Sequence, residues 1–445
     1  MRRQAATARG IKRRIDDLEL ERVKDPRCKN KTTHSLCTIL TALIAGMTTL
    51  ARSLRKVEER TGQIAQDGSG SLGIQQRIAD NTFGKVLARL QVSDLMNGLH
   101  AQVKAEHRRG NLKPTVLKMG TVAIDGKNVA TLRWYDICRL LDMDEATVSA
   151  EQVKTKLEEQ HPTVQFCVPS QGKPYALARV HTVTLISSNA AVCVHQRPTA
   201  GHTNEVGSMP QLLDELVAGY GRCGLFSMIT TDAGNTSLKA ANKAIELKLH
   251  YFMQIKCEHG QLYNEATRIL ESRNERYCDY SETDSQNGDK VIYRIWQHDL
   301  SEGGIYDWKH ARQFVRVQRV AENTRTGKRT VGNRYYVSSR SSTALGKKSC
   351  LKVSRAHWRC EDETHWTADA ILHEDRRQLS WSRHPTGVLV VSALRMIALN
   401  ILSVARKLSR VGYTQETPSW QQVAEHFVLA LCGSILITGA FDNDI

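Results

Sequence analysis

The 445-residue chain predicts an α/β fold, a mixed sheet flanked by helices, and three observations carry that prediction. Apolar, β-branched runs at 117–124, 176–188, 190–196, 225–231 and 251–256 are joined, in their later part, by helix-period segments from Thr203-Asn204-Glu205 through Leu216 and over 235–247. That is the texture of buried strands bordered by helices. Acids close the first and fourth runs, at Asp125-Gly126 and at Asp232. The formal charge is +16, from 62 basic and 46 acidic residues, so a polyanionic partner is expected.

The length allows two or three domains. Eleven cysteines occur with no C-x-x-C among them, which excludes a zinc ribbon or thioredoxin-type motif and suggests reduced thiols. No short apolar run with a small-residue cleavage site follows the basic N-terminus, so no secretory signal is expected. The apolar stretches 36–50 and 427–441 are short and broken by Thr, Gly or Ser, which predicts core helices rather than membrane spans. Nucleic acid is therefore the expected polyanion, with no membrane partner.

In chain order, residues 1–31 carry eleven Lys/Arg against five acids, a mobile basic arm or a charged helix (region 1–33). Region 34–110 reads as helical. One long helix is expected over 36–60, a flexible loop at Gly68-Ser69-Gly70-Ser71, and a second helix from Asp80-Asn81-Thr82 through Leu90. With Arg77, Lys85 and Arg89 on this pair, it resembles a helix-turn-helix DNA reader, although most such pairs are only packing units. Region 111–257 holds the strands, with a helical insert at 135–160 and a hairpin turning at Ser188-Asn189. An Asp at a strand end is commonly a turn former; two of them point to a shared site if their strands lie side by side.

Region 258–353 interrupts that sheet with strands expected at 291–296, 314–320 and 334–338. Between His310 and Arg355 there are twelve Lys/Arg and one acid, Glu322. The alternation Arg316-Val317-Gln318-Arg319 is expected to place basic side chains on the open face of a ribbon. Lys328 and Arg329 sit at its turn, suited to phosphate contact through counterion release. Region 354–445 is helical, with an amphipathic helix at 389–408 and a last helix at 420–436 opened by Pro418.

The stretch from Ser354 to Asp375 contains no Pro or Gly, and Ser354 is a fair N-cap, so one continuous helix is expected. At about 100° per residue, His357, Trp358, Thr364, His365, Ala368, Ile371 and Leu372 gather around Glu361 on the core-facing arc. A carboxylate there is costly unless a cation or donors meet it. Asp125, Asp232 and Glu361 together suit two divalent ions about 3.5–4 Å apart that activate a hydroxyl and stabilise a leaving oxygen. Carboxylates without sulfur ligands favour Mg²⁺ or Mn²⁺. His357, Glu361 and His365, at i, i+4 and i+8, offer a single zinc site as the alternative. Lys256 either contacts phosphate or caps the sheet. Arg355 either meets the scissile phosphate or neutralises Glu361.

These residues resemble the bacterial insertion-sequence transposases of the DDE type, in particular the H-repeat-associated group. The similarity runs through Ala123-Ile124-Asp125-Gly126-Lys127, Thr203-Asn204-Glu205-Val206, Thr231-Asp232-Ala233, His250-Tyr251-Phe252 and Tyr335-Tyr336-Val337-Ser338-Ser339. It is most specific at His357-Trp358, Glu361, His365-Trp366, Asp369 and Glu374-Asp375, and continues through Arg395 and Ile397-Ala398-Leu399-Asn400. The resemblance implies a ribonuclease-H-like core with a β-rich insertion before the last acid. It also implies Asp125, Asp232 and Glu361 as a triad holding two Mg²⁺ (or Mn²⁺) ions. The activity implied is cleavage and strand transfer of double-stranded DNA at terminal inverted repeats, by a homodimer in a synaptic complex, in the bacterial cytoplasm at the nucleoid. Cys360, Asp362, Thr364 and Ala368 depart from the usual Ile, Asn, Leu and Leu, and Lys256-Cys257-Glu258-His259 departs from a Lys-Gly-Asn-Gln pattern. A catalytically inactive, transposase-derived DNA-binding protein is the alternative.

Overall fold

In the computed structural model, ten strands form one mixed sheet with helices on both faces. The structure describes all residues except 1, 29–31, 67–71, 200, 202–204, 222, 274–276, 287, 375–384, 409–416 and 434–445. Asp375, the Gly68–Ser71 loop and the expected helix caps Thr203 and Asn204 lie outside the described residues.

The central strand is β1 (Thr121–Arg133). It pairs antiparallel with β3 (Tyr175–Leu185) and parallel with β5 (Met228–Thr231), which in turn pairs parallel with β6 (His250–Ile255). On the far side β3 pairs with both β2 (Val164–Cys167) and β4 (Val192–Pro198). Between β1 and β2 stand α6 (Trp134–Leu140) and α7 (Ala150–Gln160), the expected helical insert, with a small core of their own around Trp134, Ile137 and Leu157. The helices α8 (Glu205–Tyr220) and α9 (Leu238–Glu246) lead into and out of β5. Gly120 is required just before β1: a Cβ there would lie 2.2 Å from the Leu225 carbonyl oxygen.

Residues 258–353 extend this sheet rather than interrupting it. After α10 (Gln261–Glu271), the strands β7 (Tyr280–Gln286), β8 (Asp289–Asp299), β9 (Gln313–Asn323) and β10 (Arg329–Ser338) form an antiparallel meander. Its last strand docks on the free edge of β6, giving the order β2-β3-β1-β5-β6-β10-β9-β8-β7. An exposed strand edge is an unpaired row of donors and acceptors, and β10 satisfies it. β7 carries only polar residues after its tyrosine, which is why hydrophobic alternation does not reveal it.

Two corrections concern helices. The long helix expected over 36–60 is two, α2 (Leu36–Thr48) and α3 (Leu54–Gln66). They are separated where Leu50 takes φ +57°, a conformation that ends a helix. The expected amphipathic helix is α13 (Pro385–Leu408), buried on every side from Gly387 to Val404 apart from its margins. By length and composition it could cross a membrane, yet 94% of its most apolar window is buried inside the protein. Its partners include α2 and strands β1, β3 and β4, so α2 and α13 are core; residues 434–441 of the expected apolar stretch 427–441 lie outside the described residues.

The N-terminal basic segment is a charged helix, α1 (Arg2–Asp16). Its Ile11 and Ile15 are buried in the same core as α2, α4 (Asp80–Leu87), α5 (Val92–Arg108) and α13. Buried Arg14 meets Glu106 of α5 at 3.1 Å. Pro418 precedes α14 (Trp420–Cys432), which Ser419 and Gln422 cap reciprocally.

Candidate active site

Side chains alternate across a strand, so parity assigns each strand residue to a face. Ala123, Met228 and Phe252 belong to the core beneath the helix α11 (Lys347–Ala356), whereas Val122, Ile124, Ile229 and Met253 belong to the opposite core. Asp125 shares parity with Ala123. Asp232, just beyond β5, shares it with Met228. Both carboxylates therefore lie on the α11 face. Asp125 differs from expectation in one respect: it stands inside β1, opposite Thr182 of β3, not at the end of a strand.

The expected continuous helix from Ser354 to Asp375 is broken. α11 ends at Ala356, a turn follows, and Cys360–His365 form a π-segment before α12 (Trp366–Ala370). The wider π turn rotates each residue less than an α turn, and such segments frequently accompany functional sites. Glu361 is consequently solvent-exposed at the rim and not buried on an apolar arc, while Thr364 and His365 are buried.

The sheet seats this segment through specific bonds. His365 lies with Nδ1 3.4 Å from an Asp125 carboxylate oxygen and with Nε2 against the Thr182 hydroxyl. Thr364 meets Thr184 at 3.4 Å. On the other side Arg359 binds Glu363 at 2.6 Å, and its guanidinium donates to the carbonyls of Ser188 and Asn189 at 2.7 and 2.9 Å. Lys127, two residues past Asp125 on the same face, donates to Asp369 at 2.8 Å and to Glu374 at 2.7 Å. Arg395 of α13 approaches the other Glu374 oxygen at 3.6 Å. Asp369, Glu374 and Arg395 thus serve as an ionic clamp that fixes the π-segment over β1.

Asp232 is oriented by Asn235, whose backbone and side-chain amides donate to one carboxylate oxygen at 3.0 and 2.9 Å. Asn235 in turn meets buried His181 at 3.2 Å. Burial pushes the Asp125 carboxyl up, but the bond and charge of His365 outweigh it and hold it below the usual range. Glu361 is raised, first by partial desolvation and next by the negative charge of Asp125, with Asp362 and Asp232 adding to it. Mutual repulsion of this kind marks a carboxylate cluster without its counterion.

Elsewhere acids are neutralised: Asp279 by Arg273, Glu363 by Arg359, Glu374 by Lys127. Among the described residues no Lys or Arg pairs with Asp125, Asp232 or Glu361. Hard oxygen donors left with uncompensated charge fit a divalent cation such as Mg²⁺. As placed, no three His, Cys, Asp or Glu side chains among the described residues converge into one metal-holding group, because Glu361 stands at the rim. The His357, Glu361 and His365 set of the zinc alternative does not converge either. His365 is engaged by Asp125 and Thr182, and His357 is buried with neither ring nitrogen partnered.

The basic residues fall into two groups. Arg316 is a correction: it is 4% exposed, stacks on Trp296 at 4.5 Å and donates to Asn333 and the Leu270 carbonyl. Residues three apart on a strand face opposite sides, so Arg316 and Arg319 never shared an open face. Arg355 is likewise taken, by Asp284 at 2.7 Å and Glu282 at 3.2 Å of β7 and by the Tyr293 ring; it neither neutralises Glu361 nor faces it. Arg77 pairs with Glu58 at 2.6 Å while staying exposed. Lys85, Arg89, Lys256, Arg319, Lys328 and Arg329 are exposed. We expect Arg316→Ala to lower stability by about 2 kcal/mol, a desolvated cation–π interaction's worth. Arg319→Ala should stay within about 0.5 kcal/mol of the parent. Urea unfolding of both variants decides this, and equal midpoints would refute the assignment.

The residues missed by sequence reasoning are Thr182, Asn235, Arg359 and the positioning role of Lys127. Only Lys127 carried a signal, its two-residue spacing from Asp125; the others depend on strand register and on the π-segment.

A carboxylate-bearing sheet face beneath a helical segment is the setting in which the comparisons with known proteins fall. No family model matches the chain. It is 26% identical over 235 residues to the "H repeat-associated putative transposase YhhI" of Escherichia coli strain K12, covering 50% of this chain and 58% of that protein. The same figures hold for the "Putative protein YbfL" of that strain. For the "Putative transposase YncI" of Escherichia coli O157:H7 the identity is 24% over 233 residues, covering 50% and 56%. The match therefore spans a little over half the length of these relatives. They support a place for the chain with the H-repeat-associated transposase group, as its motifs implied.

Proposed function

We propose that the chain is a DDE transposase that cleaves and joins double-stranded DNA at the ends of an insertion sequence. The observation that carries this reading is that Asp125 and Asp232 lie on one sheet face, that their charges raise the carboxyl of Glu361 at its rim, and that among the described residues no Lys or Arg pairs with any of the three. We read the order β4-β3-β1-β5-β6, an antiparallel trio followed by two parallel strands, as a ribonuclease-H-like core. The strands β7–β10 are its insertion before the last acid.

Asp125, Asp232 and Glu361 would hold two Mg²⁺ or Mn²⁺ ions, which when bound activate an attacking water or 3′-hydroxyl and stabilise the leaving oxygen. The protein's part is positioning. His365 holds the Asp125 carboxylate, Asn235 holds that of Asp232, and the Lys127–Glu374 clamp keeps the π-segment over the strands. Arg319, Lys328, Arg329 and Lys256, with Arg77, Lys85 and Arg89, are candidates for phosphate contact by virtue of exposed charge. A homodimer holding two transposon ends, working at the bacterial nucleoid, completes the proposal.

A second reading, a catalytically inactive DNA-binding derivative, is favoured by one observation: no three ligands among the described residues converge as placed. Incubating the unmutated protein with terminal-repeat duplex and Mg²⁺ separates the two. Nicked or joined product is expected; stable binding without any strand cleavage would replace the first reading by the second.

A further inference from the structure

We propose that a lysine-lined groove at the N-terminal end of α11 is a docking site for the phosphodiester backbone of duplex DNA. This rests on the transposase reading above and adds to it a binding surface outside the acid cluster. The groove encloses about 700 Å³ between residues 114–119, which lead into β1, and residues 343–353. Four lysines line it: Lys118, Lys347, Lys348 and Lys352. No acid does. All four are exposed, and among the described residues none forms an ion pair. Asp299, near this loop, accepts bonds from the amide and hydroxyl of Ser342. Lys347 also feels Asp279, which Arg273 already engages.

The floor is apolar and fixed, from Leu117, Leu345 and Val353, each at most 5% exposed. The lysine stems therefore extend from a rigid surface. α11 begins in the same groove with Gly346 as N-cap, no side-chain cap and no acid in its first turn. The positive end of its dipole adds to the lysine field. A concave surface of one sign concentrates field lines toward an anion. Four cations without acids, spread along a groove, fit a run of phosphates better than a single small anion.

The groove's position gives the binding a use. α11 is ten residues long, so its start lies about 15 Å along the helix axis from the turn that precedes Glu361. A duplex held at the lysines is thereby fixed in register with the acid cluster by one rigid helix. Phosphate contacts set position without reading sequence.

The test is the salt dependence of binding by the full chain to a terminal-repeat duplex and to an unrelated duplex, without divalent metal. The quadruple variant K118A/K347A/K348A/K352A should bind both duplexes more weakly. Its slope of log affinity against log salt should be shallower by about 3–4, since each phosphate that is no longer neutralised removes about 0.9. Arg319→Ala should change the slope by about 1 at most. An unchanged slope with intact binding would overturn the groove and leave the transposase reading standing. Weaker binding to anionic lipid vesicles, with duplex binding unchanged, would also overturn it by assigning the groove to a membrane surface. If the unmutated chain binds no duplex, the transposase reading falls as well. Matching thermal unfolding of the variant and parent guards against a folding artefact, and charge reversal at Lys348 and Lys352 alone should reproduce the loss in a milder background.

Discussion

Asp125→Ala, Asp232→Ala and Glu361→Ala should each reduce Mg²⁺-dependent cleavage of terminal-repeat DNA by at least about a thousandfold, about 4 kcal/mol of barrier. Duplex binding in the absence of metal should persist in all three. The expectation follows from the electrostatics of the site. Asp125 and Asp232 are oriented by His365 and Asn235, yet neither receives a Lys or Arg counter-charge among the described residues, and Glu361 is raised by their presence. Removing Glu361 relieves that repulsion, so Glu361→Ala should be no less stable than the parent, whereas Asp125→Ala and Asp232→Ala also lose the bonds from His365 and Asn235. A variant that cleaves undiminished would remove its residue from the triad. The sharpest case is Glu361, whose exposed position at the rim makes it the acid most dependent on the π-segment for its approach. Lost activity together with raised stability is the signature of a functional carboxylate; lost activity with lost stability would indicate a structural one.

Breaking the buried clamp should have the largest effect on stability. Glu374 is 1% exposed and is held by Lys127, with Arg395 behind it. Glu374→Ala would leave Lys127 and Arg395 without their buried counter-charge, and loss of one partner of such a pair costs about 3–5 kcal/mol. Lys127→Met should cost somewhat less, because buried Glu374 keeps Arg395 at 3.6 Å. The double variant should be less damaging than the sum of the two, since neither charge is then left alone. Chemical unfolding of the four proteins gives the cycle, and additive losses would show that the residues do not act as a pair.

The same clamp predicts a dependence on pH. Burial raises the Glu374 carboxyl, but Lys127 and Arg395 outweigh it and hold it below the ordinary glutamate value. A depressed folded-state value means the unfolded chain takes up the proton first. The clamp's contribution is therefore complete above the ordinary glutamate range and is lost as pH falls through the folded value. Lys127 behaves in the opposite sense: its pKa is raised against the pull of burial, so its contribution is complete below the ordinary lysine range and is lost only in strong alkali. The parent should lose stability on acidification more steeply than Glu374→Ala. Parallel acid-unfolding curves would exclude this linkage.

Much of the candidate site is legible in the chain itself. Asp125 and Asp232 declare themselves because each follows an apolar strand pattern, and a carboxylate there demands a reason. The strands at 291–296, 314–320 and 334–338 are likewise readable from alternation, and their turn at Thr326-Gly327-Lys328 from its glycine. Periodicity singles out Glu361 for a geometric reason that does not hold. A uniform 100° turn buries it together with His365, whereas the π-segment exposes Glu361 and keeps His365 buried. Arg316 shows the converse error. Its charge suggests solvent and DNA, but a planar guanidinium can be buried when an aromatic ring and two acceptors meet it.

By itself the sequence determined most of the strands and helices, where charge accumulates and which acids call for explanation, because these follow from local periodicity and composition. Tertiary structure alone decided that β10 docks on β6, that Lys127, Glu374 and Arg395 meet, and that Lys118 joins Lys347, Lys348 and Lys352 in one groove. Each of those depends on residues far apart in the chain coming together. Strand register and a local change of helical pitch bring them together, and neither leaves a periodic trace in the sequence.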